Sequence, residues 1–274
     1  MSKRKLIIIS TILSAVVLAL FVLLIVLLSN QSDGIKAEKY DVGSIVRNLN
    51  EKNVSVTAKN ISVIAESESL KQGKNTYLSV KSAVKNNLDG IMLDVAFRND
   101  GTPVLAENFN DVKDNSTELK KVFELIKGTS FKLVLNMGEV SDMNNIRELI
   151  DSYDMKGNVM IMVDDEVKMI AVKRNLSNYK VCIEFNEDGI DFKNSDEMRS
   201  KAFAAKKSGA SYIAVKPEYL TKEFIGACNS CHVGAVAYGA NTNSSVQKAL
   251  SEEIDVFITD CPNDVKNIIS SLKS

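Results

Sequence analysis

Apolar and polar positions along this chain fall into blocks of two lengths that take turns. Short apolar runs at 61–65, 90–95, 132–137, 159–163, 180–185, 212–215, 234–238 and 256–259 are bounded by turn-forming residues. Runs of that length predict buried strands. Longer amphipathic stretches lie between them, at 76–86, 119–126, 142–152, 166–175, 196–208, 221–229, 244–251 and 263–272. Strand and helix in regular alternation predict a parallel sheet covered by helices. Eight such pairs predict an α/β domain of the (β/α)8, or TIM, barrel type over residues 54–274.

One block is of a third kind. Residues 6–28 are apolar with only Ser and Thr as interruptions, and Lys3, Arg4 and Lys5 precede them. About 20 apolar residues span the hydrocarbon of a bilayer, so a single transmembrane helix is expected here. A cleaved signal peptide is the competing reading. The run exceeds a usual signal core and no Ala-x-Ala-like site follows it, which favours an uncleaved anchor. The basic tail 1–5 would then stay in the cytoplasm and the barrel would be exported, giving a single-pass protein of the cell membrane whose first partner is the lipid bilayer. Residues 29–53 are polar and mixed in charge, and suit a stalk with a helical turn around 42–49.

The net charge of −1 and the lack of any basic block beyond Lys3–Lys5 argue against nucleic acid as a partner. Cys228-Asn229-Ser230-Cys231-His232 matches the spacing of a haem attachment site. His232 is the chain's one histidine, however, and the motif falls at a helix end that should pack on the barrel. A labile disulfide or two reduced thiols is the favoured reading, and neither haem nor nucleotide is expected. Zinc would need more ligands than this cluster supplies. Cys182 and Cys261 are expected to serve as apolar packing.

Chemistry concentrates around Gly90-Ile91-Met92-Leu93-Asp94-Val95 and the following Arg98-Asn99-Asp100-Gly101-Thr102-Pro103-Val104-Leu105. Asp94 is a carboxylate near the end of an apolar strand. Burying it unpaired is costly, so it must have a partner, a metal or water in reach. Barrel enzymes build their sites at the C-terminal ends of the strands. Here that end would carry Glu66, Asp94, Glu107, Asp164, Glu184, Lys216, Tyr238 and Asp260.

These segments resemble the glycerophosphodiester phosphodiesterase family. Its members carry Ile-Ala-His-Arg-Gly on the first strand, Pro-Glu-Asn-Thr at a helix start, Gly-Ile-Glu-Leu-Asp-Val on the second strand, and Asp-Gly-x-Pro-Val followed by His-Asp. This chain has Ile64-Ala65-Glu66-Ser67, Gly73-Lys74-Asn75-Thr76, the Gly90–Val95 run, and Asp100-Gly101-Thr102-Pro103-Val104-Leu105-Ala106-Glu107-Asn108. The closing Ile254-Asp255-Val256-Phe257-Ile258-Thr259-Asp260-Cys261-Pro262 is similar to the family's last strand.

The resemblance implies a barrel in which two histidines act as general acid and base, an arginine binds phosphate, and carboxylates hold a divalent metal. At the matching positions stand Glu66 and Glu107 for the histidines, Ser67 for the arginine, Lys74 for one acid and Met92 for another. Only Asp94 is unchanged. On the third strand Leu135-Asn136-Met137-Gly138-Glu139-Val140 lacks the family's acid, which Glu139 could replace only if the strand slipped by one residue. Tyr238 takes the place of a tryptophan, Asn241 matches an asparagine, and Lys216 ends the sixth strand where it could meet a phosphate. The segment after Glu107 is too short for the family's usual cap.

The expectation is therefore a membrane-anchored, extracytoplasmic, catalytically impaired barrel that binds phosphodiester or polyol headgroups. Two alternatives are kept. One is a hydrolase of phosphoric diesters dependent on Ca²⁺ or Mg²⁺ held by Glu66, Asp94 and Glu107, and the other is an envelope scaffold with a protein partner.

Overall fold

The computed structural model describes residues 40–52, 61–185, 187–240 and 242–272, all within one compact unit, Ile35–Ser274. The expected basic tail, the transmembrane helix at 6–28, residues 29–39 of the stalk and Asn241 lie outside the described residues. Among the described residues no helix is long and apolar enough to cross a membrane.

The described residues form nine strands: β1 (Ser62–Glu66), β2 (Gly90–Phe97), β3 (Pro103–Leu105), β4 (Lys132–Met137), β5 (Val159–Val163), β6 (Lys180–Glu184), β7 (Tyr212–Val215), β8 (Gly234–Ala237) and β9 (Val256–Thr259). Their order is β1-β9-β8-β7-β6-β5-β4-β2-β3, and a further β1–β2 pairing closes eight parallel strands into a barrel. The helices are α1 (Val42–Glu51), α2 (Tyr77–Lys85), α3 (Leu119–Ile126), α4 (Met143–Ser152), α5 (Glu166–Asn175), α6 (Ser195–Ser208), α7 (Lys222–Ser230), α8 (Asn243–Leu250) and α9 (Pro262–Leu272). Side chains of Thr76, Asp165, Asn194, Thr221 and Thr242 cap helix N-termini by accepting from backbone N–H groups, which explains why the helices start where they do.

The period of two along each strand sorts side chains into two cores. Ile64, Val134, Met162, Cys182, Ala214, Val236 and Ile258 fill the barrel interior, with Met92 packed against them. Their neighbours Val63, Ile91, Leu93, Leu133, Ile161, Ile213 and Phe257 face the helices. Each such side chain contributes about 1.5–3 kcal/mol when fully buried. Gly90 is needed where β2 begins, because a Cβ there would stand 2.4 Å from the carbonyl oxygen of its register partner Lys132.

The expected barrel is found, with two differences. First, Pro103–Leu105 forms an extra strand antiparallel to β2, pairing Val95 with Leu105. Three residues headed by proline are too short to show as a strand in sequence, and proline is tolerated at this sheet edge. Gly101 turns the hairpin at φ 80°, and the returning strand delivers Glu107 to the barrel's open end.

Second, the stalk as expected does not extend to residue 53. Val42, Ile45, Val46 and Leu49 follow helical spacing, and α1 lays Ile45 and Leu49 fully buried against α8 and α9. Tyr40 joins the same packing. Its hydroxyl donates to the Ala240 carbonyl and lies 3.2 Å from Asp260 Oδ1, and its backbone N–H donates to Asp264 Oδ2 at 3.2 Å. Residues 40–51 thus belong to the barrel, because an apolar helical face this complete is covered rather than solvated.

The four cysteines are free thiols. Cys182 lies in the barrel interior, Cys261 is buried after β9, and Cys228 faces the core from α7. Burial, helped by Cys231 and Asp255, pushes the Cys228 thiol up to about 12. Cys231 is half-buried at the end of α7. His232 follows it in the left-handed conformation that ends a helix, with its carbonyl accepting from Lys206 Nζ at 2.9 Å.

Leu49→Ala should lower the unfolding free energy by about 2–5 kcal/mol in urea melts, the usual cost of emptying a core leucine site. An unchanged midpoint would return α1 to a free stalk. With a disulfide-exchange reagent at pH 8, Cys231 should react promptly and the other three thiols only after denaturation.

Candidate functional site

The two-residue alternation that fills the barrel interior also decides which polar side chains ring its C-terminal mouth. Two residues beyond the interior layer come Glu66, Asp94, Asn136, Asp164, Glu184, Lys216, Tyr238 and Asp260. Six of them end a strand or follow one, while Asp94 and Asn136 lie within β2 and β4. Register pairs Asp94 with Asn136 and Glu66 with Met92, so β1, β2 and β4 place these groups side by side.

Asp94 is the buried centre of the mouth, 5% exposed. Its Oδ1 accepts from Asn136 Nδ2 at 2.7 Å, and its Oδ2 accepts from Asn75 Nδ2 at 2.8 Å. Lys74 Nζ stands 3.2 Å from the same Oδ2. Asn75 also accepts the Asp94 backbone N–H on its own Oδ1 at 2.9 Å, so one amide clamps both the strand and its carboxylate. That clamp depends on a left-handed backbone at Asn75, φ 54°, a conformation asparagine tolerates better than most residues. Ser67 holds it there, accepting the Asn75 N–H at 3.2 Å and donating to Asn75 Oδ1 at 3.2 Å. Three consecutive residues divide the work, with Lys74 supplying charge, Asn75 the clamp and Thr76 the cap of α2.

The Lys74 ammonium also reaches Glu107 Oε2, at 3.3 Å. Burial works against its charge, but Asp94 and then Glu107 outweigh burial and hold its pKa above the ordinary lysine value. It therefore remains an ammonium through neutral and mildly alkaline pH. The side chains of Lys74 and Glu107 are 41% and 64% exposed, so the outer half of this bridge is screened by water while the inner half, on Asp94, is not.

Across the mouth a second set of pairs forms. The Tyr238 hydroxyl donates to Glu184 Oε1. Burial and the Glu184 carboxylate together drive the phenol pKa far upward, which keeps it a neutral donor. Lys216 Nζ donates to Glu187 Oε2 at 2.9 Å, while the Lys216 backbone N–H donates to Glu187 Oε1 at 3.0 Å. Lys168 lies 2.6 Å from Asp164.

Of the expected site residues, the structure joins Asp94 to Glu107 through Lys74, and places Glu66 beside them at the end of β1. Lys216 is engaged by Glu187 and is not an idle cation. Tyr238 walls the opposite side. Glu139 does not take over for the lost third-strand acid, because β4 keeps its register and Asn136 occupies the interior position. Glu184 does reach the mouth. Sequence reasoning missed Asn75 and Asn136 as the partners of Asp94, although a polar Asn136 inside an apolar strand was itself a signal that it had something to bind. Nothing in the sequence pointed to Glu187.

The divalent cation implied by the resemblance does not fit these donors. Ca²⁺ and Mg²⁺ require oxygen ligands, six or more of them for Ca²⁺. Both Asp94 oxygens already accept from amides, an ammonium sits on one of them, and Met92 offers a thioether where an oxygen would be needed. Among the described residues no group of three or more His, Cys, Asp or Glu side chains is placed to hold a metal ion.

No protein-family model matches the chain, and no curated protein matches it in sequence. Solved structures do. A candidate glycerophosphodiester phosphodiesterase from Galdieria sulphuraria is 17% identical with a TM-score of 0.65, the match covering 77% of this chain and 98% of that one. A glycerophosphodiester phosphodiesterase from Parabacteroides distasonis is 12% identical with a TM-score of 0.64, over 78% and 99% of the two chains. A phosphodiesterase from Oleispira antarctica, solved with its product sn-glycerol-3-phosphate, is 14% identical with a TM-score of 0.60, over 79% and 98%. The motifs along the sequence and the path of the backbone agree, and the chain has the barrel fold of the glycerophosphodiester phosphodiesterases.

Proposed function

We propose that this protein is a catalytically impaired barrel of the glycerophosphodiester phosphodiesterase type, held at the cell membrane by residues 6–28, whose extracytoplasmic mouth binds the polyol part of a headgroup. The observation that carries the loss of catalysis is the place of the only imidazole. Cleaving a phosphodiester at neutral pH needs a proton delivered to the leaving alkoxide and charge neutralised on the phosphoryl oxygens. His232 precedes β8, at the end of the barrel opposite the mouth, where it closes a helix. Glu107, in one of the family's histidine positions, is committed to Lys74.

The charge balance favours a polyol over a phosphodiester anion. Carboxylates of Glu66, Asp94, Glu107, Glu184, Glu187 and Asp260 ring the mouth, and Lys74 and Lys216 are each paired within it. Hydroxyl groups can donate to such carboxylates, and Tyr238 offers an aromatic wall for the carbon skeleton. The membrane anchor rests on the apolar length of 6–28 and the basic residues ahead of it.

Hydrolysis of a panel of glycerophosphodiesters by the full chain in mild detergent, with Ca²⁺ or Mg²⁺ present, should give no turnover above that of Asp94→Ala. Turnover in the wild type that Asp94→Ala abolishes would replace this reading with a carboxylate-based hydrolase.

A further inference from the structure

We propose that the Lys74 ammonium is a cation built into the mouth, which takes the place of a divalent metal between Asp94 and Glu107 and bars one from entering. The proposal deepens the reading of the mouth given above and concerns ion binding alone, so it stands or falls separately from the absence of turnover.

The geometry carries it. A metal ion bridging two carboxylates and a tethered ammonium bridging the same two do the same electrostatic work, which is to let a buried carboxylate stay charged. Lys74 Nζ lies 3.2 Å from Asp94 Oδ2 and 3.3 Å from Glu107 Oε2, within ion-pair distance of both carboxylates and nearly equidistant from them. Asp94 is buried, and among the described residues Lys74 is its one charged partner, since Asn75 and Asn136 contribute neutral amides. Remove Lys74 and a buried carboxylate is left with two amides, facing an exposed Glu107. That arrangement attracts a cation.

The anchoring of Lys74 is equally specific. Its neighbour Asn75 is pinned in the left-handed conformation by Ser67 and bonded to both the backbone and the side chain of Asp94. Residue 74 is thereby aimed at Asp94 by the chain itself, whichever side chain it bears. An acid at position 74 would be carried to the same place and would add its oxygens to those of Asp94 and Glu107, with the Asn136 amide able to turn its carbonyl toward the ion while Asn75 keeps its clamp. One substitution separates a site that excludes metal from one that accepts it.

Calorimetric titration of the full chain with CaCl₂ tests this, with thermal unfolding in Ca²⁺ or EDTA as a second readout. The wild type should show no saturable binding in the millimolar range and no shift of Tm with Ca²⁺. Lys74→Glu should bind Ca²⁺ saturably, with Kd on the order of 10⁻⁴–10⁻³ M as in extracellular calcium modules, and gain Tm with Ca²⁺. Adding Asp94→Asn should abolish both. Lys74→Gln, neutral and similar in reach, should bind more weakly than Lys74→Glu but better than the wild type. Ca²⁺ binding by the wild type that Asp94→Asn removes would overturn the proposal. So would folded Lys74→Glu and Lys74→Gln proteins that bind no better than the wild type, or variants that fail to fold even when Ca²⁺ is supplied.

Discussion

A carboxylate buried within an apolar strand is the constraint around which the mouth of this barrel is arranged. Asp94 cannot remain in that position without donors, because a charge removed from water must recover its solvation from the protein. Asn136 comes from the next strand, Asn75 from the loop after β1, and Lys74 from the same loop. Those contacts fix the start of α2, hold the β1 loop against β2 and, through Glu107, tie down the hairpin that follows β2. Loops that would otherwise be independent are drawn together by one acid.

The remainder of the barrel makes that acid possible. Strands β1, β2 and β4 through β9 alternate one side chain inward and one outward, so the interior can be apolar through its middle and polar at its mouth without any strand changing register. Ile64, Val134, Met162 and Cys182 form a floor under Asp94, Glu66 and Glu184. A one-residue slip of β1, β2 or β6 would turn Glu66, Asp94 or Glu184 toward the helices, which is why the register is held so firmly. Gly90 allows β2 to approach β4 at the start of the strand that bears Asp94.

The mouth so formed is a set of closed pairs. Lys74 is satisfied by Asp94 and Glu107, Lys216 by Glu187, and the Tyr238 hydroxyl by Glu184. A hydrolytic site on this fold would keep a proton donor and an unpaired positive charge ready for the phosphoryl group. Here both lysines are engaged by carboxylates that outnumber them, and the proposed preference for hydroxyl groups over another anion rests on that excess of acceptors.

Much of this is legible without coordinates. The order of strands and helices follows from hydrophobic period alone, since burial on one face or two leaves a direct mark on which positions can be polar. The place of Asp94 in an apolar strand, and Glu66 and Glu107 where the resemblance puts histidines, are likewise matters of sequence, though β2 runs on past Asp94 to Phe97. What tertiary structure decided are the pairings: that Lys74 lies between Asp94 and Glu107, that Asn75 and Asn136 serve the same carboxylate, that Glu187 engages Lys216, and that Tyr40 and α1 pack on α8 and α9 in place of a free stalk. Each joins residues distant in sequence or placed by loop geometry, and a chain's local pattern records the need for a partner but not its address. The period of the sequence determined the barrel; closure of the barrel chose which charges meet.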